Sequence, residues 1–307
     1  MKLSSQTLAR LRFGSGCYLV ILPTLALLLT FVYLPVAWAF LKSLYEFEVG
    51  SAPRFVGLAN YLEYLTVDPP TWPSVLNMFL LTFFHVFVRL SVPLVIAKLI
   101  HSLPFERTRY LYRIIFLIPI VVPAVATQLL WRSLIYADYG LLNETLKYIG
   151  LESWTHGWLS DPHTALVAIM FMGFPFIGGF EVLIYYAGFS AIPDSVNEAA
   201  ALEGCTGVSK FFRIDLPLVL SQLKLILVLT VIGGLQGFEA IFVLTQGSPG
   251  FKTMVPGLWM YFNAFQFQRM GYACAIGVLL FIVILAITLI NLRYFRSSEE
   301  IQEGGVS

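Results

Sequence analysis

Hydrophobic positions in this chain fall into long, nearly unbroken runs separated by short polar stretches, with neither the two-residue alternation of a half-buried strand nor the stripe of a soluble amphipathic helix. About 20 consecutive apolar residues are needed to cross the hydrocarbon of a bilayer. Six runs are long enough: 17–41, 75–99, 111–135, 164–189, 218–244 and 272–294. Lipid offers no partner to an unpaired backbone N–H or C=O, so each run is predicted to be a helix. The fold class is an all-α polytopic membrane protein with six transmembrane helices over residues 17–294, preceded by a polar N-terminal segment (1–16) and followed by a short tail (295–307). Prolines at 23, 35, 93, 119, 123 and 175 are expected as local kinks rather than breaks.

Composition supports this reading. Of 307 residues, 58% are hydrophobic and 12% charged, whereas soluble domains carry roughly 25% charged residues. A net charge of +1 excludes an electrostatic nucleic-acid binder. Cys17, Cys205 and Cys274 are scattered, without metal or disulfide spacing, and are expected as small buried residues. The first apolar run is too long for a signal-peptide core and stays as a span. Basic residues set the orientation. With the N-terminus inside, the inner segments hold Lys2, Arg10, Arg12, Lys98, Arg107, Arg109, Arg113, Lys210, Arg213, Lys224, Arg293 and Arg296. The outer ones hold only Lys42, Arg54, Arg132, Lys147, Lys252 and Arg269. Both termini are therefore expected in the cytoplasm.

The most structured polar stretch is 190–217, Ser-Ala-Ile-Pro-Asp-Ser-Val-Asn-Glu-Ala-Ala-Ala-Leu-Glu-Gly-Cys-Thr-Gly-Val-Ser-Lys-Phe-Phe-Arg-Ile-Asp-Leu-Pro. Ser195 and Glu198 have capping-box spacing, Val196–Glu203 reads as a short helix, and Gly204 suits a left-handed cap. Thr206 is placed to cap a second short helix, and Pro217 suits the first turn of the span that follows. On these signals alone an ordinary amphipathic loop remains an equal reading.

Glu198-Ala199-Ala200, three residues, Gly204, nine residues and Ile214-Asp215-Leu216-Pro217 resemble the cytoplasmic signature loop of permease subunits of binding-protein-dependent ABC importers. Phe55-Val56-Gly57-Leu58-Ala59-Asn60-Tyr61, Tyr139-Gly140-Leu141-Leu142-Asn143 with Trp158-Leu159-Ser160-Asp161-Pro162, and Gly271-Tyr272-Ala273-Cys274-Ala275 are similar to its carbohydrate (maltose/glycerol-phosphate-type) branch. Thr245-Gln246-Gly247-Ser248-Pro249 departs from the usual Thr-Gly-Gly-Gly-Pro at Gln246 and Ser248. The resemblance implies a type I ABC importer permease fold and a sugar or sugar-like solute moved by alternating access across the bacterial inner membrane. It also implies a second, often paralogous permease subunit, two ATP-binding subunits and an extracytoplasmic solute-binding protein. On that resemblance Glu198, Ala199, Ala200, Gly204, Ile214, Leu216 and Pro217 are the ATPase-coupling residues of a coupling-helix loop.

No Gly-x-x-x-x-Gly-Lys-Ser/Thr occurs, so ATP and magnesium are expected on partner subunits and no cofactor on this chain. Val196, Ala199, Ala200 and Leu202 are expected to face that partner. The chain is read as a non-catalytic membrane subunit, since His85, His101, His156 and His163 lack ligand spacing and no metal site is expected. The rival reading is an ion-coupled secondary transporter or channel-like protein, which would carry its own coupling site.

Ionisable groups at the bilayer centre cost about 2.5–3.5 kcal/mol each on the insertion scale, so they face protein or water. His85, Arg89, Gln128, Glu181, Tyr185, Phe238 and Glu239 are the candidates for a hydrated solute pathway. A structural Arg89–Glu181 ion pair is the competing expectation, and a pathway role for Arg89 would favour an acidic solute. Gly173, Gly178 and Gly179 with Pro175 permit a broken fourth helix, and Gly233, Gly234 and Gly237, which include a small-xxx-small spacing, permit close helix packing within the subunit or, as the alternative, between subunits.

Overall fold

The computed structural model describes residues 20–48 and 50–294. The segment 1–16, Cys17 and the tail 295–307 lie outside the described residues. In chain order, α1 (Val20–Lys42) widens into a π-helical turn over Leu29–Tyr33, just before Pro35. The proline ring would collide with the carbonyl four residues back, and the wider turn moves that carbonyl aside. Strands β1 (Tyr45–Glu46) and β2 (Arg54–Phe55) pair antiparallel, and α2 (Ala59–Leu62) follows. Next come α3 (Thr71–His101), α4 (Glu106–Leu117), α5 (Ala124–Leu130), α6 (Leu141–Tyr148), α7 (Ala165–Phe171) and α8 (Gly179–Ser190). The chain continues with α9 (Asp194–Leu202), α10 (Gly207–Lys210), α11 (Leu220–Gln236), α12 (Glu239–Leu244), α13 (Pro256–Tyr261) and α14 (Met270–Tyr294).

Among the described residues three helices are long and apolar enough to cross a membrane, Val20–Lys42, Thr71–His101 and Met270–Asn291. Two more runs qualify only as bent pairs, Glu106–Val121 with Ala124–Ile135 at 85° and Gly207–Leu218 with Leu220–Gln236 at 68°. Thus Pro93 sits inside a continuous helix, as predicted, but other prolines break their spans, which corrects the expectation of kinks. Val122 is extended (φ −72°, ψ 126°) because Pro123 follows it, and the residue before a proline is driven out of the helical region. The run 164–189 is interrupted between Phe171 and Gly179, where the Phe174–Pro175 peptide is cis and Gly173 and Gly178 have φ of +92° and +58°.

The contacts divide the described residues into two units. One holds the residues up to Val67 with Met260–Leu279. Its organiser is Asn60, buried at 6% exposure, whose Nδ2 donates to the carbonyls of Ser43 (2.8 Å) and Tyr45 (3.0 Å). Arg269 spans both carboxylate oxygens of Glu63 at 2.8 Å. Gly271 donates its N–H to Phe47 O at 3.1 Å and lies where a Cβ would run into the Tyr45 carbonyl.

The other unit runs from Asp68 to Trp259 and resumes at Leu280. Its core is built by α3, α8 and α11: Leu94, Ala97, Ile100, Val182, Tyr185, Phe189, Val219 and Ile226 are all buried and in one cluster. Gly234 of α11 faces Thr82 of α3 at 2.9 Å from where a Cβ would stand, so a larger residue would separate the two helices. Asn143, at 2% exposure, donates to Asp138 O and His156 O (3.1 Å each) and accepts from Trp158 Nε1 at 2.8 Å. Both asparagines stitch loops whose own backbone has no helical partner.

Asn77 on α3 does the same for the stretch after α12, donating to Met254 O at 2.9 Å and Phe251 O at 3.3 Å. Asn77→Ala is expected to lower stability by about 1–3 kcal/mol, the range for stranding a buried polar group, read as a fall in the melting temperature of the purified protein. An unchanged transition would show that those carbonyls find other donors.

Candidate functional site: a polar cavity and a docking hairpin

A cavity of about 320 Å³ opens among α3, α5, α7 and the α11–α12 break. α3 supplies Leu81, His85 and Arg89, which recur at four-residue spacing and therefore share one face. α5 supplies Gln128, and Thr230, Gly233, Gly234, Gly237, Phe238 and Glu239 come from α11, the break and the start of α12. The predicted fifth span is thus discontinuous, ending at Gln236 and resuming at Glu239. Non-helical backbone at membrane depth is tolerated where it borders a cavity or is buried in protein, and here Gly237 and Phe238 line that cavity.

Arg89 and Glu181 form an ion pair through Nη1 and Oε1, with the Arg89 side chain 53% exposed and Glu181 8%. The expected Arg89–Glu181 ion pair is therefore present, and Arg89 also lines the cavity. Glu181 lies in the first turn of α8, where the helix dipole favours a carboxylate. Gln128 is 6% exposed, and its Oε1 has no hydrogen-bond partner. Tyr185 is the correction among the pathway candidates. It is fully buried in the helical core with its hydroxyl 3.4 Å from Leu90 O, because α8 turns that face toward α3 and away from the cavity.

The second feature is the stretch 190–217. Residues Asp194–Leu202 form α9 with Pro193 at the N-cap and no side-chain cap. The predicted Ser195–Glu198 capping box is therefore absent, since the helix begins one residue before Ser195 and leaves it inside the first turn. Gly204 closes the helix with φ +68°, as expected of a left-handed cap. Thr206 occupies the N-cap of α10, which runs through a π-helical turn, Phe211–Asp215, and on to Leu218. Pro217 therefore ends the hairpin just before the 68° bend and does not open the long span, a second correction. Glu198 and Ala199 are exposed, Ile214 and Leu216 are half-buried, and Pro217 is exposed.

Ala200 is buried at 3% exposure and Val196 is half-buried, so neither is free for a partner. The exposed apolar side chains are instead Leu202 (91%), Val208 (74%) and Phe212 (60%). Sequence reasoning also missed what holds the hairpin. Asp215, at 1% exposure, is ion-paired with Lys98 of α3 at 2.6 Å and lies 3.9 Å from Lys210, whose Nζ donates to Asn197 Oδ1 of α9 at 2.7 Å. Asp215 is polar beside an apolar span, which is a signal, but its partner is far away in sequence.

Residues 94–298 match the family described as binding-protein-dependent transport system inner membrane component. The chain belongs to this family. Among its relatives, the trehalose/maltose transport system permease protein MalF of Thermococcus litoralis is 33% identical over 284 residues, covering 91% of this chain and 93% of the relative. The probable ABC transporter permease protein YurN of Bacillus subtilis is 30% identical, over 92% and 97% of the two chains. A chain of the bacterial ABC transporter involved in the import of the acidic polysaccharide alginate superposes with a TM-score of 0.81 at 22% identity, over 94% of this permease and 98% of that chain. That likeness shows a shared fold. An ABC importer permease of this family carries a helical membrane domain, and its ATP hydrolysis belongs to partner subunits.

Removing Lys98 takes away the closer of the two cations on the buried Asp215 carboxylate and leaves only Lys210, at 3.9 Å. Lys98→Met is expected to destabilise by roughly 3–5 kcal/mol, the range for breaking one side of a buried pair. Lys98→Met with Asp215→Asn is expected to recover part of that loss, measured by thermal unfolding in detergent. Equal losses in the single and double variants would mean that the carboxylate is not paired.

Proposed function

We propose that this permease is the membrane subunit through which a sugar or sugar-like solute enters a bacterial cell, powered by ATP-binding subunits that dock on the 190–217 hairpin. The observation that carries the proposal is a polar cavity bordered by a broken span, in a chain of a family whose relatives are named for trehalose/maltose and lactose transport. These names and the chain's own cavity support this reading over an ion-coupled carrier. The complex comprises a second permease subunit, two ATP-binding subunits and an extracytoplasmic solute-binding protein, in the inner membrane with both termini cytoplasmic.

On this reading Glu198, Ala199 and the apolar Leu202, Val208 and Phe212 form the surface presented to the ATP-binding subunit. Gly204 sets the corner between the two short helices, and Ile214, Leu216 and Pro217 carry the hairpin into α11. Closure of the nucleotide subunits moves the hairpin, and the bundle responds by exposing the cavity alternately to the two sides. His85, Arg89, Gln128, Phe238 and Glu239 line the path of the solute, with hydrogen-bonding groups for hydroxyls and one ring face for a sugar's apolar side.

The test is the rate of ATP hydrolysis by the co-purified complex in proteoliposomes, with its binding protein and a panel of sugars. Stimulation by a sugar supports the proposal, and solute flux persisting without any ATP-binding subunit overturns it. Glu198→Ala is expected to cut stimulated hydrolysis and uptake at least tenfold while the permease still reaches the membrane. At Gly204 a Cβ would meet nothing within 4 Å, but φ is +68°. Gly204→Val therefore strains the backbone without a clash, by about 1–2 kcal/mol, and is expected to weaken capture of the ATP-binding subunit in pull-downs. Full coupling in both variants would remove the hairpin from the mechanism.

A further inference from the structure

The cavity carries more information about its solute than its size. Three formal charges bear on it: Arg89 on the wall, Glu181 paired to Arg89 from behind, and Glu239 on the wall. Glu239 is exposed and makes no ion pair among the described residues. An unpaired arginine facing a water-filled cavity would be an anion receptor, because its planar fork grips carboxylate, sulfonate or phosphate with two parallel hydrogen bonds. Here one arm of that fork, Nη1, is committed to Glu181. The positive charge is cancelled locally, and Glu239 leaves a negative excess at the wall.

The neutral side of the lining points the same way. Gln128 lines the cavity and is more than nine-tenths buried, and its amide oxygen has no hydrogen-bond partner. Buried polar atoms are nearly always partnered, so an orphan on a cavity wall marks a place for a ligand donor. The complement of a neutral amide oxygen is a hydroxyl.

We infer that Glu181 masks the charge of Arg89, so that the cavity accepts uncharged polyhydroxy solutes and turns away anionic ones. This rests on the cavity being the solute path, and it reverses the expectation that Arg89 favours an acidic sugar. Glu181 is on this account a specificity-determining residue that never touches the solute. Its carboxylate sets what Arg89 offers: hydrogen-bond donors with little net charge.

The electrostatic claim is testable without knowing the solute. Gly233 lines the cavity, and a Cβ there meets nothing within 4 Å. Gly233→Cys, with Cys17, Cys205 and Cys274 replaced by serine, places a reporter thiol in the lining. The assembled transporter in proteoliposomes is treated with two methanethiosulfonates of similar size, one bearing a sulfonate and one a trimethylammonium, with rates normalised to a free thiol. The masked pair predicts that the parent shows no preference for the sulfonate. Glu181→Gln should then raise the sulfonate-to-ammonium rate ratio about tenfold, the order expected for one unit charge a few ångströms inside a partly hydrated site. Adding Arg89→Gln should return the ratio to that of the parent. A parent that already favours the sulfonate, or a ratio within twofold of parent in Glu181→Gln, overturns the inference. The parent measurement needs no change at the ion pair and decides even if Glu181→Gln fails to assemble. If neither reagent reaches the thiol, the cavity is dry, and the solute-path reading falls together with the inference built on it.

Discussion

A charge placed among lipid-facing helices has to bring its own counter-charge, and α3 does this twice. Arg89, in its middle, is held by Glu181 of α8, and Lys98, near its end, is held by Asp215 at the hinge before α11. The core cluster of Leu94, Ala97, Val182, Phe189, Val219 and Ile226 fills the space between the same three helices. A buried ion pair adds little net stability over an apolar pair of the same size, because desolvation offsets the attraction. Its effect is on register. If α8 or α11 slid by one turn along α3, a carboxylate and a cation would each be left unmatched, at a penalty no leucine contact could offset.

The second constraint is that backbone polar groups must be satisfied at every depth. It explains why the breaks fall where they do. Around Gly173–Gly178 and Gln236–Glu239 the helix stops inside its span: the first interruption contains glycines at positive φ, and in the second Gly237 leaves the helix in an extended conformation. The second break opens directly onto the cavity, where water or solute can complete the freed groups. The cavity and the discontinuous span thus require each other.

Much of this was legible in the sequence. Apolar run length located the long helices Val20–Lys42, Thr71–His101 and Met270–Asn291, and glycine chemistry located the corner at Gly204. The rare charges inside the runs located the cavity lining at Arg89 and Glu239. Three things were not legible, each for a physical reason. Run length measures how apolar a stretch is but is blind to a Val122–Pro123 step that turns the chain through 85°. Capping-box spacing at Ser195 is satisfied by many sequences, and the helix started one residue earlier at Asp194. The faces of the helices were the hardest. Tyr185 lies one turn beyond Glu181, yet it is sealed in the core, and only the packing of α8 on α3 reveals this.

Register on α3 also bears on how a hairpin movement would reach the cavity. Lys98 and Arg89 are nine positions apart on one continuous helix, about 14 Å at the usual rise per residue. Pro93 lies between them without breaking the helix. On the proposed coupling role, a displacement of Asp215 would bear on Lys98 through their ion pair, and α3 would carry it to the wall where His85 and Arg89 stand. α8 is tied to the same wall by Glu181, so it has to follow. Packed interiors pass on small shifts because they cannot absorb them. On the same proposed role, a contact at the hinge would thus bear on the shape of the cavity through Lys98 and the continuous α3.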